Sequence, residues 1–208
     1  MADYSKLDSW SLKAQKEGYP ARSVYKLKEM DEKFGLLKTG KAPFSALDLG
    51  AAPGSWSLYI LRKFGARGGK AVFLAAIDLA PLSREYDRGL FDDTAFSFIQ
   101  GDFTQSAIRQ SILEMGPYNL IVSDAAPSTS GNRSLDTLRS LDLAETALDY
   151  AQNALKQGGN LVIKVFQGGE TAKLLKTMRT VFVTAKSFKP EACRKESFET
   201  YFLGLGKK

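Results

Sequence analysis

Residues 45–56 read SALDLGAAPGSW, and the fold is decided there. An apolar run reaches Asp48 and then breaks into Gly50-Ala51-Ala52-Pro53-Gly54. Apolar residues ending on small ones predict a strand, a tight turn and a helix, because Gly50 and Gly54 allow positive φ and close backbone approach. A helix opening straight after such a turn points its free N–H groups and the positive end of its dipole at whatever lies above the strand.

Working outward, residues 57–64 read as that helix. A second strand, 71–77, ends on Asp78, a third, 96–100, runs into Gly101-Asp102, and a fourth, 119–123, ends on Asp124. A helix over 105–115 joins the third to the fourth. Residues 135–156 place Leu138, Leu141, Ala144, Leu148, Ala151 and Leu155 on one helical face, with Gly158-Gly159 as the expected stop. A fifth strand covers 160–165 and a helix 171–179. Two last strands lie around 181–188 and 200–205, separated by a charged loop. Upstream, Val24, Leu27, Met30 and Phe34 recur at three-to-four spacing, with Pro20 suited to the first turn and Gly35 to the stop, so a helix with a basic outer face is expected there. Before Pro20 no fold signal shows, and little fixed structure is expected at the very start. Strands alternating with helices predict an α/β chain, with a mostly parallel seven-stranded sheet and helices on both faces. The final two strands have no helix between them and should pair antiparallel at one edge. Residues 1–19 read as a basic, partly flexible extension and 20–208 as a single domain.

The 208 residues carry 29 Lys+Arg against 23 Asp+Glu, a formal charge of +6 that favours a polyanionic partner. There is no His, which excludes Ser-His-Asp and Cys-His catalysis, and a lone Cys193 excludes an internal disulfide or a Cys-rich metal site. No metal is expected. The opening MADYSKLDSW has no apolar signal core and no apolar run reaches membrane-span length, so a cytoplasmic protein is expected.

Ligands of doubly wound sheets bind beyond the carboxyl ends of the strands, where this chain places Asp48, Asp78, Asp102 and Asp124. Any one of these is ordinary turn chemistry; their succession predicts a cationic or hydroxyl-rich ligand lying across the strand ends. The turn is not G-x-G-x-x-G, Pro53 removes an N–H from a diphosphate cradle, and GARGGKA is not a P-loop. S-adenosylmethionine, with a ribose, an adenine and a positive sulfonium and ammonium, suits the carboxylates better than a dinucleotide.

In order, DLGAAPGSWS, IDLAPL, QGDF, SDAAPSTSG, the long helix, VIKVFQG and KESFETY closely resemble the FtsJ-like ribosomal RNA large-subunit methyltransferase E family, from about residue 14 to the end. The resemblance implies a Rossmann-like S-adenosylmethionine-dependent methyltransferase fold. The activity it implies is methyl transfer to a ribose 2′-hydroxyl of RNA, a uridine in the A loop of large-subunit ribosomal RNA. Its Lys-Asp-Lys-Glu set falls on Lys26, Asp124, Lys164 and Glu199, with Lys164 as proton acceptor. Its cofactor contacts fall on Gly54, Trp56, Asp78, Asp102 and Asp124. Two departures are Ser55, where the family usually has a second glycine, and Ala125, where related sequences often have Met; both are expected to be tolerated.

The residue types suit that chemistry independently. A ribose hydroxyl is a poor nucleophile, so a base, or positive charge on the developing alkoxide, assists its attack on a sulfonium methyl. Lys164 ends an apolar strand, where desolvation favours a neutral amine, while nearby Asp124 and Glu199 favour the ammonium. The residues alone leave open whether Lys164 takes the proton or orients the oxygen; the resemblance favours the base. An exocyclic amine acceptor would call for an Asn/Asp-Pro-Pro-aromatic motif, and cytosine C5 for a Cys nucleophile; neither matches. RNA is expected on the face made by the cations between Lys6 and Lys28 with Lys189, Arg194 and Lys195, the protein acting as a monomer on ribosomal RNA or the large subunit. Rival readings are a tRNA 2′-O-methyltransferase of the same fold, an idle RNA-binding or assembly module, and a nicotinamide-dependent oxidoreductase with Asp78 on a ribose.

Overall fold

The computed structural model describes residues 8–38, 43–65, 72–194 and 196–208. Its centre is a seven-stranded sheet in the order β3-β2-β1-β4-β5-β7-β6, made of β1 (Phe44–Leu49), β2 (Val72–Asp78), β3 (Phe96–Gln100), β4 (Tyr118–Ser123), β5 (Leu155–Phe166), β6 (Phe182–Phe188) and β7 (Glu199–Lys207). β1 to β5 run parallel, and β7 pairs antiparallel with both β5 and β6. The two final strands thus pair at one edge as expected, with β7 inserted inside and β6 forming the rim.

Period-two alternation sends successive side chains to opposite faces. Ala46, Leu74, Ala76, Val122, Val162 and Leu203 pack beneath α1 (Ser9–Lys16), α2 (Val24–Phe34) and α3 (Ser55–Gly65). Leu47, Leu49, Ile77, Ile121 and Ile163 pack beneath α4 (Ser106–Glu114), α5 (Arg133–Ala154) and α6 (Thr171–Val181). Both faces are buried, which is why the strands read as unbroken apolar runs.

The sequence gives little sign of α1. Only Ala14 is buried from it, although Asp8 caps it by accepting the Ser11 N–H at 2.9 Å and Trp10 packs tilted against Tyr25, ring centres 5.1 Å apart. α2 begins at Val24 rather than Pro20, and Gly35 ends it at φ 66° as expected. Gly158-Gly159 does not stop α5. The helix ends at Ala154 because Leu155 turns extended and enters β5 opposite Tyr118. The ladder then jumps to Leu120 opposite Asn160, so the glycines form a bulge within the strand, with Gly158 at φ 76°. Leu138, expected on the buried face, is 54% exposed, because the first turns of α5 border a groove shared with Gln167 and Glu170 instead of the sheet. Among the described residues no helix is long and apolar enough to cross a membrane.

Candidate active site

The strand order reverses between β1 and β4, and the crevice at such a switch point is where doubly wound sheets bind ligands. A cavity of about 580 Å³ opens there, with Gly50, Asp78, Asp102, Asp124 and Pro127 on its wall. The Asp78 carboxylate is fixed at its rim by the N–H groups of Ala52 at 2.9 Å and Ala80 at 2.8 Å. Asp102 is held by the backbone N–H and hydroxyl of Thr104 at 2.9 and 2.7 Å.

Asp48 is not part of that wall. It precedes the last residue of β1, is fully buried, and accepts the Ser57 hydroxyl at 2.7 Å from beneath the turn. Its other oxygen has no hydrogen-bond partner among the described residues. Burial, reinforced by the charges of Asp124 and Asp78, pushes its carboxyl up to about 7.

Asp124 also joins the cavity to a second group of charges. It follows β4 on the face covered by α2 and α3. Lys164 of β5 lies directly across the ladder from Tyr201 of β7, and Glu199 is two residues before Tyr201, so all three share that face. Lys164 Nζ is 3.0 Å from Asp124 Oδ1 and also donates to the Asp124 carbonyl; the Tyr201 hydroxyl donates to the same Oδ1 at 2.6 Å. Lys26, from α2, is 2.9 Å from Glu199 and 5.7 Å from the Tyr201 ring centre. Burial opposes charge on Asp124, but Lys164, Lys26 and the Tyr201 hydroxyl hold its carboxyl below the ordinary range. Burial likewise opposes the Lys26 ammonium, and Asp124 with Glu199 raises it above its usual value. The four residues expected to act together are within one contact network. Beside the Lys26–Glu199 pair lies a pocket of about 310 Å³, with Arg22, Arg194 and Ser197 on its wall.

The FtsJ-like methyltransferase family profile matches residues 19–207. The chain belongs to that family. It is 50% identical to ribosomal RNA large subunit methyltransferase E of Treponema denticola, over 97% of this chain and 96% of the relative. Identity to the protein of the same name from Oleidesulfovibrio alaskensis is 43%, over 96% and 91%. Among solved structures, a Plasmodium falciparum protein described as a ribosomal RNA methyltransferase superposes with a TM-score of 0.72 at 25% identity, covering 91% of this chain and 98% of that one. Human methyltransferase-like protein 13 shares the fold at a TM-score of 0.52 and 13% identity, covering 82% and 73%.

In this FtsJ-like methyltransferase two expected cofactor residues stand differently from Asp78, Asp102 and Asp124. Gly54 is off the cavity wall; at φ 106°, with a Cβ falling 2.9 Å from the Phe91 ring, its place calls for glycine on packing grounds. The Trp56 side chain is buried, and its indole N–H donates to the Ser23 carbonyl at 2.8 Å, leaving only its backbone in the first turn of α3 to face a ligand. Ser55 is accommodated by a reciprocal pair: its hydroxyl accepts the Ala21 N–H at 2.9 Å and donates to the Ala21 carbonyl at 3.2 Å. At Gly50 an added Cβ would lie 2.7 Å from Ala125 Cα, so the turns after β1 and β4 touch backbone to backbone.

Several expected RNA contacts have other partners. Arg22 is engaged by Asp8 and the Ala192 carbonyl, Lys13 lies over the Trp10 and Tyr25 rings, and Lys189 donates to the Ser197 carbonyl at 2.6 Å. Lys6 and Lys195 lie outside the described residues. Cys193, in the charged loop before the last strand, is buried; burial and the neighbouring Glu199 push its thiol up to about 12. Sequence reasoning missed Tyr201 and Ser57. Tyr201 had a signal in its two-residue spacing from Glu199 in a strand; Ser57 had none.

Proposed function

We propose that this FtsJ-like methyltransferase uses S-adenosylmethionine to methylate a ribose 2′-hydroxyl of large-subunit ribosomal RNA, a uridine of the A loop. The observation that supports this best is the contact between a carboxylate-walled cavity and the paired Lys26–Glu199 and Asp124–Lys164 charges, with Asp124 common to both. The cavity fits the cofactor's chemistry. Asp78 suits a ribose diol, and the carboxylates of Asp78, Asp102 and Asp124 on the wall suit a cation. The bound cofactor supplies a methyl group on a positive sulfonium, which becomes a neutral thioether once the acceptor oxygen has taken the methyl.

The protein's part is to hold that oxygen and manage its proton. An ammonium has three donors. Lys164 directs two at Asp124, leaving one for the acceptor hydroxyl. In the proton-acceptor role that third position presents a lone pair to the hydroxyl while the two N–H groups stay on Asp124, which the Tyr201 hydroxyl also holds. Lys26, kept charged by Glu199, stabilises the alkoxide as it forms. The pocket lined by Arg22, Lys26 and Arg194 gives the acceptor strand a basic approach to the Lys26–Glu199 pair. The same reading puts the enzyme in the cytoplasm, working as a monomer.

The test offers methyl-labelled S-adenosylmethionine to separated ribosomal subunits, total ribosomal RNA and tRNA from cells lacking the gene, and maps the label. Label on a uridine ribose of large-subunit RNA is expected. Label confined to tRNA would move the substrate, and label on a base would overturn the acceptor chemistry.

A further inference from the structure

The Ser23 carbonyl, at the turn into α2, accepts two N–H groups. One is the backbone N–H of Lys26 at 3.0 Å and the other is the indole N–H of Trp56 at 2.8 Å. A carbonyl has two acceptor lone pairs, and both are used, one by the residue that bears the ammonium and one by a side chain from the helix following the cofactor turn. The same indole lies against Tyr201, with ring centres 5.9 Å apart. Tyr201 in turn holds Asp124 through its hydroxyl and lies under Lys26. Trp56 therefore touches the supports of both ion pairs while being 2% exposed. One residue earlier, the Ser55 hydroxyl grips both backbone groups of Ala21. The start of α3 is thus fastened to residues 21–23 at two points, and α2 hangs from those residues.

We infer that the Trp56 side chain is a positioning residue of the acceptor half of the site: it sets where Lys26 and Tyr201 stand relative to Asp124, and does not itself contact the cofactor. The indole fixes the Ser23 carbonyl from the α3 side, so α2 cannot roll or slide to carry Lys26 away from Glu199. Its ring backs Tyr201, so the hydroxyl stays on Asp124 Oδ1. Alignment of this kind governs the chemical step more than binding, because small displacements of reacting groups cost rate steeply.

The inference rests on the methyl transfer proposed above, and the two fail differently: if the unsubstituted protein transfers no methyl group to RNA, that reading is wrong, whereas the strut is judged on variants of an active enzyme. The decisive substitution is Trp56→Phe, which keeps an aromatic ring against Tyr201 and removes the N–H. Three quantities are measured: cofactor affinity by calorimetry, the single-turnover methyl-transfer rate at saturating RNA and cofactor, and the same rate in the Lys26→Arg background. The expected result is a rate lowered about tenfold with cofactor affinity unchanged within about twofold, the scale of one lost hydrogen bond. In the Lys26→Arg background the same substitution should cost much less, because a residue acting through Lys26 loses its leverage once Lys26 is altered. Ser55→Gly, which releases the second fastening, should lower the rate in the same sense. A cofactor affinity that falls in step with the rate would make the indole a cofactor contact. A rate within about twofold of the parent, or an equal effect in both backgrounds, would leave Trp56 an ordinary core residue.

Discussion

Asp48→Asn should make the cofactor-free protein more stable, by an amount that grows with pH. Asp48 is fully buried and one of its oxygens lacks a partner among the described residues, so its carboxyl keeps its proton in the native state up to about 7, against 3.8 for the free side chain. A folded pKa above the unfolded one contributes stability that is fully present below 3.8 and is lost as pH rises through 7. The shift of about 3 pH units amounts to roughly 4 kcal/mol across that whole window. An asparagine amide is neutral throughout and escapes the loss. Its own cost, an NH₂ group placed where the partnerless oxygen was, is independent of pH and cancels when the same pair is compared at two pH values. Urea unfolding of parent and variant at about pH 5 and about pH 8 should therefore show their difference in unfolding free energy move by about 3 kcal/mol in favour of asparagine. A difference that stays constant between the two conditions would refute the buried, proton-holding Asp48.

Lys164→Ala should bind S-adenosylmethionine normally and lose methyl transfer by at least about a hundredfold, the scale of a removed general base; calorimetry and a labelled-methyl assay separate the two, and near-normal turnover would remove Lys164 from the proton-acceptor role. Gly50→Ala should destabilise the fold by about 2–4 kcal/mol, from left-handed strain together with contact on the Ala125 backbone, read as a fall in denaturation midpoint. Affinity for RNA should drop as salt is added, and Arg194→Ala should make the logarithmic salt slope shallower by about one; a salt-independent affinity would argue against phosphate contacts beside Lys26.

Much of this was legible in the sequence, for identifiable reasons. Parallel strands buried on both faces leave unbroken apolar runs, and residues 50–54 leave a break that no helix interior tolerates, so the sheet and its switch point could be placed. The grouping of Lys26, Asp124, Lys164 and Glu199 followed from resemblance; strand periodicity explains why Lys164, Glu199 and Tyr201 share a face. Three things were hidden. α1 buries so little that it has no strong periodic signal, and its order comes from Asp8 and from packing on Tyr25. Gly158-Gly159 looks the same before a loop as inside a bulge, and only the pairing of Leu155 with Tyr118 distinguishes the two. Resemblance alone marks Trp56 as a cofactor contact, and nothing in the sequence shows that side-chain direction in the first turn of α3 sends the indole inward to Ser23.

The insertion of β7 between β5 and β6 bears on how the enzyme comes to be active. The cofactor cavity is walled by the turns after β1 to β4, which are successive neighbours in the chain or one crossover apart. The acceptor half waits for β7, which carries Glu199 and Tyr201: Glu199 must reach Lys26, 173 residues earlier in the chain, whereas the pairing of Ala46 with Leu120 behind the cavity spans 74. A partly folded chain would then hold the methyl donor before it has Glu199 and Tyr201 in place to direct it, so competence to bind precedes competence to react. Refolding sampled at intervals, both for retention of labelled S-adenosylmethionine and for methyl transfer, would show activity lagging behind binding.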